Sequence, residues 1–391
     1  MRNIPRLVAL SLTVMAAAPV SARAQNNVVD VVGFLMTNQA VVTEDFERDR
    51  AAADAARDAL TGALLVSLTS MPIATSSGGF VYRLNPELGT VERATESFGG
   101  FFVERALTPG HGRAAFGVSG STSGFDSLDG HDLLDGSFVT IANRFTDESA
   151  PFDTESLTLR MRSSSMTVFA SVGISDRFEI GAAVPFLRFT LEGQRVNVYY
   201  GNSFEQASAT ATASGIGDAA LRAKYTVAAA RSGGFAIAGE VRLPTGDEEN
   251  LLGAGSVAVR VMGIGSFERS RLSLHGNAGL VRGGISDEFT IGWAAAVALA
   301  PQVTLTAELS TRHLSELRSV ALSSAPHPTI DGVDTLRLTG GLPGRDIATG
   351  IAGLKWNPGG TLVLAAHLRW YLTGAGLTAP VTPWLGLEYA F

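Results

Sequence analysis

Long stretches of strict apolar and polar alternation are the feature that most constrains the fold of this chain. In residues 219–227, 235–243, 272–280 and 289–299, every second residue is apolar. Alternation with a period of two indicates β-strands with two different faces. The runs are longer than a usual soluble strand of about 5 to 6 residues and match a tilted membrane-spanning strand of about 9 to 11 residues. The pattern therefore predicts an all-β fold, an antiparallel β-barrel in a membrane.

The charged residues of these strands share one phase, and the opposite phase is almost free of charge. An Arg or Lys facing lipid at mid-depth costs roughly 2–4 kcal/mol. We therefore expect the apolar phase to face lipid and the charged phase to face the lumen. Gly and Ala are mixed with large residues in the apolar phase, which suits a lipid-facing surface better than a packed interior.

Short and long connections alternate along the chain, as they do in outer-membrane barrels with tight periplasmic turns and extended outer loops. The predicted outer loops include 126–155, 199–215 and 320–345. Counting strands between Arg113 and Phe391 predicts about 12, an even number as expected for such barrels. A 14-strand version adds Phe101–Thr108 and Ser137–Phe145. We also expect a β-bulge at Pro185, because Arg188 falls on the apolar phase beyond it.

Composition excludes several other classes of protein. The only long uncharged apolar stretch is N-terminal, so no helical membrane protein is predicted. The chain has no Cys, which excludes a disulfide scaffold and thiolate zinc sites. A net charge of −7 argues against nucleic acid as a partner. No metal and no cofactor are expected.

The N-terminus predicts export. Arg2 and Arg6 precede an apolar run from Leu7 to Val20, and Ala22-Arg23-Ala24 has the small residues that a signal peptidase requires. We place cleavage after Ala24, so residues 1–24 are a predicted signal peptide; a buried helix is the alternative. The mature chain is then destined for the outer membrane of a Gram-negative bacterium.

Residues 25–111 form a predicted segment before the barrel, which spans 112–391. Thr43 to Leu68 has helical spacing, with Thr43 as the N-cap and acidic residues in the first turn. The segment either plugs the lumen or lies beneath the barrel on the periplasmic side.

The last strand places four apolar residues on one face and ends in an aromatic residue. This pattern resembles the signal that the barrel assembly machinery reads, which makes that machinery an expected partner. The residues of the predicted assembly signal are Leu385, Leu387, Tyr389 and Phe391.

Several motifs resemble one family. They are SFGGFFVERALTPGHG at 97–112, FDSLD at 125–129, SDRFEIGAAVP at 175–185, GIGDAALRAKY at 215–225, RLPTGDEENLLG at 242–253 and GLKWNP at 353–358. Together they are similar to a proteobacterial outer-membrane transporter family labelled as channels of a phenol-degradation pathway. That family is distantly similar to long-chain fatty-acid transporters. The resemblance implies a barrel that admits small hydrophobic or aromatic cargo.

The charged phase supplies the candidate lumen-lining residues. They are Arg160, Arg162, Glu179, Arg222, Lys224, Glu240, Arg242, Arg260, His275, Glu308, Arg312, Lys355, His367, Arg369 and Glu388. Bases outnumber acids among them, which favours anionic cargo. The alternative, equally supported, is that bases and acids pair across neighbouring strands and leave little net field.

Three functions remain open. The first is a passive channel for small hydrophobic or aromatic molecules. The excess of inward bases would make these molecules anionic. The second is a closed structural barrel whose loops contact lipid and lipopolysaccharide. The third is an esterase using Ser273, His275 and Asn277, but they share the lumen phase and no oxyanion arrangement is visible, so we expect no catalytic residues and no enzyme. The acids at 247–249 and at Asp126, Asp129, Asp132 and Asp135 are interpreted as solvated loops rather than cation sites.

Overall fold

A computed structural model describes residues 27–36, 46–69, 79, 82–85, 90–93, 95–230 and 232–391 of the chain. The predicted signal peptide and the predicted N-cap Thr43 lie outside the described residues. Two helices precede the sheet, α1 (Val28–Met36) and α2 (Phe46–Thr69). Among the described residues, neither helix combines the length and apolar character needed to cross a bilayer.

Nineteen strands follow in the described part of the chain. They are β1 (Tyr82–Asn85), β2 (Thr90–Arg93), β3 (Ala114–Phe125), β4 (Ser127–Leu128), β5 (His131–Asp132), β6 (Val139–Phe145), β7 (Asp153–Gly173), β8 (Phe178–Tyr199), β9 (Asn202–Ile216), β10 (Ala219–Ala230), β11 (Gly233–Leu243), β12 (Ala258–Arg269), β13 (Leu272–Gly283), β14 (Glu288–Ala300), β15 (Val303–Pro326), β16 (Val333–Gly359), β17 (Leu362–Tyr371), β18 (Leu377–Thr378) and β19 (Thr382–Ala390).

Twelve of the described strands close into one antiparallel barrel. The order around the wall is β3, β7, β8, β10, β11, β12, β13, β14, β15, β16, β17 and β19, and β19 pairs with β3 to close the ring. Closure leaves no unpaired edge, which is what allows a sheet to span a membrane. The prediction of a barrel of about 12 strands is confirmed, as is an N-terminal helical segment.

The 14-strand alternative is wrong for two different reasons. Residues 139–145 do form β6, but this strand pairs only with the outer ends of β7 and β16, at Val139–Ser156 and Val333–Phe145 among others. Residues 101–108 form no regular strand and lie inside the barrel, where their backbone bonds to side chains of the wall.

Two predicted outer loops are strand hairpins. Residues 199–215 belong largely to β9, which pairs with the outer half of β8, while β10 pairs with the inner half. Residues 320–345 belong to β15 and β16, whose pairing continues to Pro326 and Asp334. The wall therefore rises well beyond the length needed to cross a bilayer, on the side of the long connections.

The predicted bulge at Pro185 is also wrong. Pairing of β7 with β8 runs unbroken through Thr167–Pro185 and Ser164–Arg188. Arg188 is exposed on the outer face because β8 continues past the membrane-spanning part of the wall, where an outward Arg meets water.

Apolar side chains cover the outside of the barrel wall. Leu280, Trp293, Leu309 and Leu385 are all exposed on the outer face, Trp293 at 61%. An apolar outer surface of this extent is stable only against lipid. The four residues of the predicted assembly signal are exposed on this outer face, three on β19 and Phe391 directly after it, and the rings of Tyr389 and Phe391 meet edge to face.

The main hydrophobic core lies inside the outer half of the barrel. Leu35 of α1 and Leu64 of α2 are fully buried there, together with Leu159 of β7 and Leu191 of β8. Helix α1, which the sequence did not reveal, begins after Asn27, whose side-chain oxygen accepts the Asp30 N–H at 2.7 Å. Ala56, Ala59, Ala63 and Val66 of α2, which recur at helical spacing, are buried. Both helices thus occupy the barrel mouth.

Candidate functional site: a lumen filled by the chain's own N-terminal segment

The inner wall of the barrel carries most of the predicted lumen residues. The inward-facing predicted residues, by burial and by their contacts inside the barrel, are Glu179, Arg222, Lys224, Glu240, Arg242, Arg260, His275, Glu308, Arg312, Lys355, His367, Arg369 and Glu388. The prediction is wrong for Arg160 and Arg162, which are exposed on the outer face of β7. Arg160 pairs there with Glu192 at 3.6 Å, both more than half exposed.

Residues 95–108, which we term the lumen segment, cross the interior of the barrel. Glu308 of β15 is the main anchor: its carboxylate accepts the backbone N–H of Phe101, of Phe102 at 3.1 Å and of Val103 at 3.2 Å. Hydrogen bonds to an ionised acceptor are the strong ones. A Cβ at Gly100 would collide with Glu308, so only glycine allows this close approach.

Lys355 and Lys224 hold the lumen segment through its carbonyl groups. The Lys355 ammonium donates to the Gly100 carbonyl at 2.6 Å, and it lies 5.1 Å from the centre of the Phe101 ring. The Lys224 ammonium donates to the carbonyls of Arg105 and Leu107 at 3.3 and 3.1 Å. These bonds satisfy backbone groups that have no secondary-structure partner.

Two ion pairs inside the barrel fix the side chains of the lumen segment. Glu104 pairs with Arg222 of β10, and Arg105 pairs with Glu268 of β12 at 3.0 Å. Arg105 is 1% exposed, so its charge is held away from solvent, and removing Glu268 would leave it uncompensated. The segment therefore lies in a defined position and is part of the folded lumen.

Several other inward cations also have carboxylate partners on their own or a neighbouring strand. Lys224 lies 3.0 Å from Glu179, Arg242 and Arg260 both approach Glu240, and Arg312 binds Glu288 through two hydrogen bonds of 2.6 and 3.0 Å. The described lumen thus follows the pairing alternative. The excess of inward bases therefore no longer supports a general preference of the lumen for anions.

Sequence reasoning missed several charged residues of the lumen, among them Glu104, Arg105, Glu268 and Glu288. Glu268 and Glu288 share the inward phase of their strands and would have been found by continuing that phase to the strand ends. Glu104 and Arg105 lie on an irregular segment, where no periodicity marks the direction of a side chain.

Ser273, His275 and Asn277 do lie together on the inner face of β13, but each is engaged by other groups. The Ser273 hydroxyl bonds to that of Ser97, and His275 Nδ1 bonds to Ser266 Oγ at 2.9 Å. The Asn277 amide donates to the Glu104 carbonyl and accepts the Glu104 N–H. All three side chains therefore hold the lumen segment or the wall around it.

Acidic residues of the loops bind backbone groups, of their own loop or of a neighbouring one. Asp129 accepts the N–H groups of Val320 and Gly376 at 2.8 Å each and lies 3.4 Å from Arg345. Asp247 accepts the Asn250 N–H in a short turn. In the described ranges, no group of three or more His, Asp or Glu side chains is placed to hold a metal ion.

The lumen retains space beside the segment. One cavity of about 70 Å³ is lined by Glu104, Arg260 and Asn277, and another of about 40 Å³ by Ile347, Arg369 and Tyr371. Both cavities include Phe102 and Arg312 in their walls, so they are neighbours.

A closed antiparallel barrel with an apolar outside and a charged inside defines an outer-membrane β-barrel protein. Its own N-terminal segment fills the lumen. Residues 139–316 match the family model described as "Putative MetA-pathway of phenol degradation", which confirms the resemblance found in the sequence motifs.

Solved barrels give weaker likenesses. An outer membrane channel from Pseudomonas putida F1 is 12% identical, with 73% of this chain and 98% of that chain covered and a TM-score of 0.48. The toluene transporter TbuX of Ralstonia pickettii is 11% identical, with 72% and 90% covered and a TM-score of 0.30. A Pseudomonas aeruginosa FadL homologue is 10% identical, with 71% and 89% covered and a TM-score of 0.31. Such low values establish nothing about cargo. No curated protein matches the chain.

Replacing Glu308 with Gln is expected to loosen the lumen segment. A neutral amide oxygen accepts the Phe101–Val103 N–H groups more weakly than the carboxylate, and bonds to charged groups are worth about 1.5–3 kcal/mol. We expect openings in single-channel recordings to become several-fold more frequent, in line with that loss. Glu288→Gln is the matched control, since Glu288 binds Arg312 of the wall. Equal opening frequencies for the two variants would contradict the role of Glu308.

Proposed function

We propose that this protein is a gated outer-membrane channel for small hydrophobic or aromatic molecules. The observation that carries the proposal is the nature of the lumen filling. An irregular segment lies beside cavities, and polar contacts that water can replace hold it to the wall. A lumen sealed for structural reasons alone would be expected to have a packed apolar core through its whole depth.

The cargo class is supported by the family match and by the walls of the cavities. Phe102, Ile347 and Ile351 supply apolar surface to one cavity, beside the polar side chains of Ser310, Thr349, Arg312 and Arg369. Small-molecule sites combine such walls with a small number of placed polar groups. Passage requires the lumen segment to move, because it crosses the interior between the mouth and the periplasmic turns.

The proposed setting is the outer membrane of a Gram-negative bacterium, reached by cleavage after Ala24 and by insertion through the barrel assembly machinery. The outward apolar row of β19 supports that route, since it stays accessible on the surface of the wall. Lipopolysaccharide is the proposed lipid partner of the wall extensions, where Arg160 and Arg188 are exposed.

A reversible disulfide tests the gate. The hydroxyls of Ser97 and Ser273 touch inside the barrel, so Ser97→Cys with Ser273→Cys places two thiols together in a chain without other cysteines. Cells of a porin-deficient strain that express this variant are expected to take up toluene when reduced. Oxidation, which ties the lumen segment to β13, should stop uptake.

Each single Cys variant serves as the control, since neither can form the intramolecular bond. Uptake unchanged by oxidation of the double variant would overturn the gate. A closed structural barrel is the second candidate, favoured by the number of ion pairs that hold the lumen segment. It would be supported if neither the reduced nor the oxidised chain raised uptake above that of cells without it.

A further inference from the structure

The cavity between α2 and strands β15 to β17 contains a cation unlike the others in the lumen. Arg369 of β17 is 6% exposed and points into this cavity. Within the residues that the structure describes, neither Nε nor Nη2 of its guanidinium has a hydrogen-bond partner. An ionised group buried without a partner is costly, so the arrangement favours an anion beside it.

Arg312 lies in the same cavity and shows how its wall binds a carboxylate. The Nε and Nη2 atoms of Arg312 donate to the two oxygens of Glu288 at 3.0 and 2.6 Å, a bidentate pair. The same edge of Arg369 is the one without a partner. Arginine recognises carboxylates through this planar pair of donors.

The surroundings of Arg369 restrict the rest of the ligand. The guanidinium carbon lies 5.5 Å from the centre of the Tyr371 ring. Phe102, Ile347 and Ile351 supply apolar walls, and Ser310 and Thr349 supply hydroxyl groups. A ligand that fits these walls has one anionic group and a compact apolar body.

Total charge argues for a monoanion. Glu288 already neutralises Arg312, so Arg369 brings a single unbalanced positive charge to the cavity. A dianion would bring a second negative charge with no cation to match it, at a cost that grows in a low-dielectric interior.

We propose that this cavity binds a small aromatic monocarboxylate, with its carboxylate on the Nε and Nη2 edge of Arg369 and its ring against Phe102, Ile347 and Ile351. That the bound molecule is cargo rests on the proposed channel function. Binding itself is independent of transport. Anionic selectivity would then come from one residue and not from a generally basic lumen.

Titration calorimetry of the full chain in detergent, with benzoate as the probe, tests the site. Benzoate is expected to bind the wild-type chain, and Arg369→Met should weaken binding by about tenfold or more, as loss of a charged hydrogen bond predicts. Benzyl alcohol, with the same ring and no charge, should bind weakly to both chains. Acetate should bind more weakly than benzoate because it lacks the ring.

Arg160→Met is the matched control, because it removes an equal charge from the outer face. If Arg369→Met fails to fold, as judged by heat-modifiable mobility in gels, Arg369→Lys keeps the charge but loses the planar edge and should also weaken binding. Absence of benzoate binding to the folded wild-type chain, or equal affinity in the Arg369 variants, would overturn the site. Acetate that binds as tightly as benzoate would overturn the inference that the site recognises an aromatic ring.

The two proposals fail separately. Benzoate binding could depend on Arg369 while reduced Ser97→Cys/Ser273→Cys cells take up no toluene. That result would support the binding site and contradict the channel function. Uptake of toluene without benzoate binding would support the channel function and contradict the binding site.

Discussion

A chain that lacks residues 25–109 is expected to form an open pore, with a conductance in planar bilayers about tenfold or more above that of the full chain. The deletion removes both helices and the lumen segment, which together occupy the mouth and the middle of the barrel. Glu308, Lys355 and Lys224 would lose their backbone partners but would face water, which can solvate them.

The barrel wall should survive this deletion. All twelve of its strands lie between Ala114 and Ala390, and they are joined by an unbroken ring of pairing. Heat-modifiable mobility in gels provides the folding control. A folded deletion chain that conducts no better than the full chain would contradict the view that the N-terminal residues close the pore.

Leu309→Arg is expected to reduce the free energy of unfolding in lipid vesicles by about 2–4 kcal/mol. Leu309 is exposed on the outer face of β15, opposite Trp293 of β14 and midway along the part of the strand that pairs with β14. An Arg there would face hydrocarbon at mid-depth. Denaturant titration of the vesicle-bound chain measures the loss.

His313→Arg on the same strand provides the comparison. His313 lies on the outer face four residues nearer the long loops, where it pairs with Asp346 at 2.8 Å, and is half exposed. A charge near the interface costs only about 0–1 kcal/mol. Equal losses at the two positions would show that the apolar face of β15 does not lie in a bilayer.

Much of the fold could be predicted from local patterning. Alternation through residues such as Leu272, Leu274 and Leu280 set both the strand type and its two faces. The inward direction of Arg222, Lys224 and Glu240 followed from the same phase. The lumen segment could not be predicted to cross the barrel, because its position depends on Glu308 and Lys355, which lie more than 200 residues away in sequence.

The errors at Arg160, Arg162 and Pro185 have one physical cause. Alternation identifies two faces of a strand, but the environment decides which face is inside. Where the wall crosses the bilayer, the apolar face meets lipid and the charged face turns inward. In the extensions of β7 and β8 the outside is water and the inside is α1, so Leu159 and Leu191 turn inward while Arg160 and Glu192 turn outward.

Local sequence by itself determined the strands, their phase and the approximate strand number, because backbone geometry makes side-chain direction alternate at every residue. Tertiary structure alone decided which charges are neutralised and which stays unpaired. Ion pairing requires two groups within a few ångströms, and closing the ring brings strands together only after every register is set. Arg312 and Arg369 share a phase and a residue type in the sequence, but only the folded barrel gives Glu288 to one and leaves the other facing an open cavity.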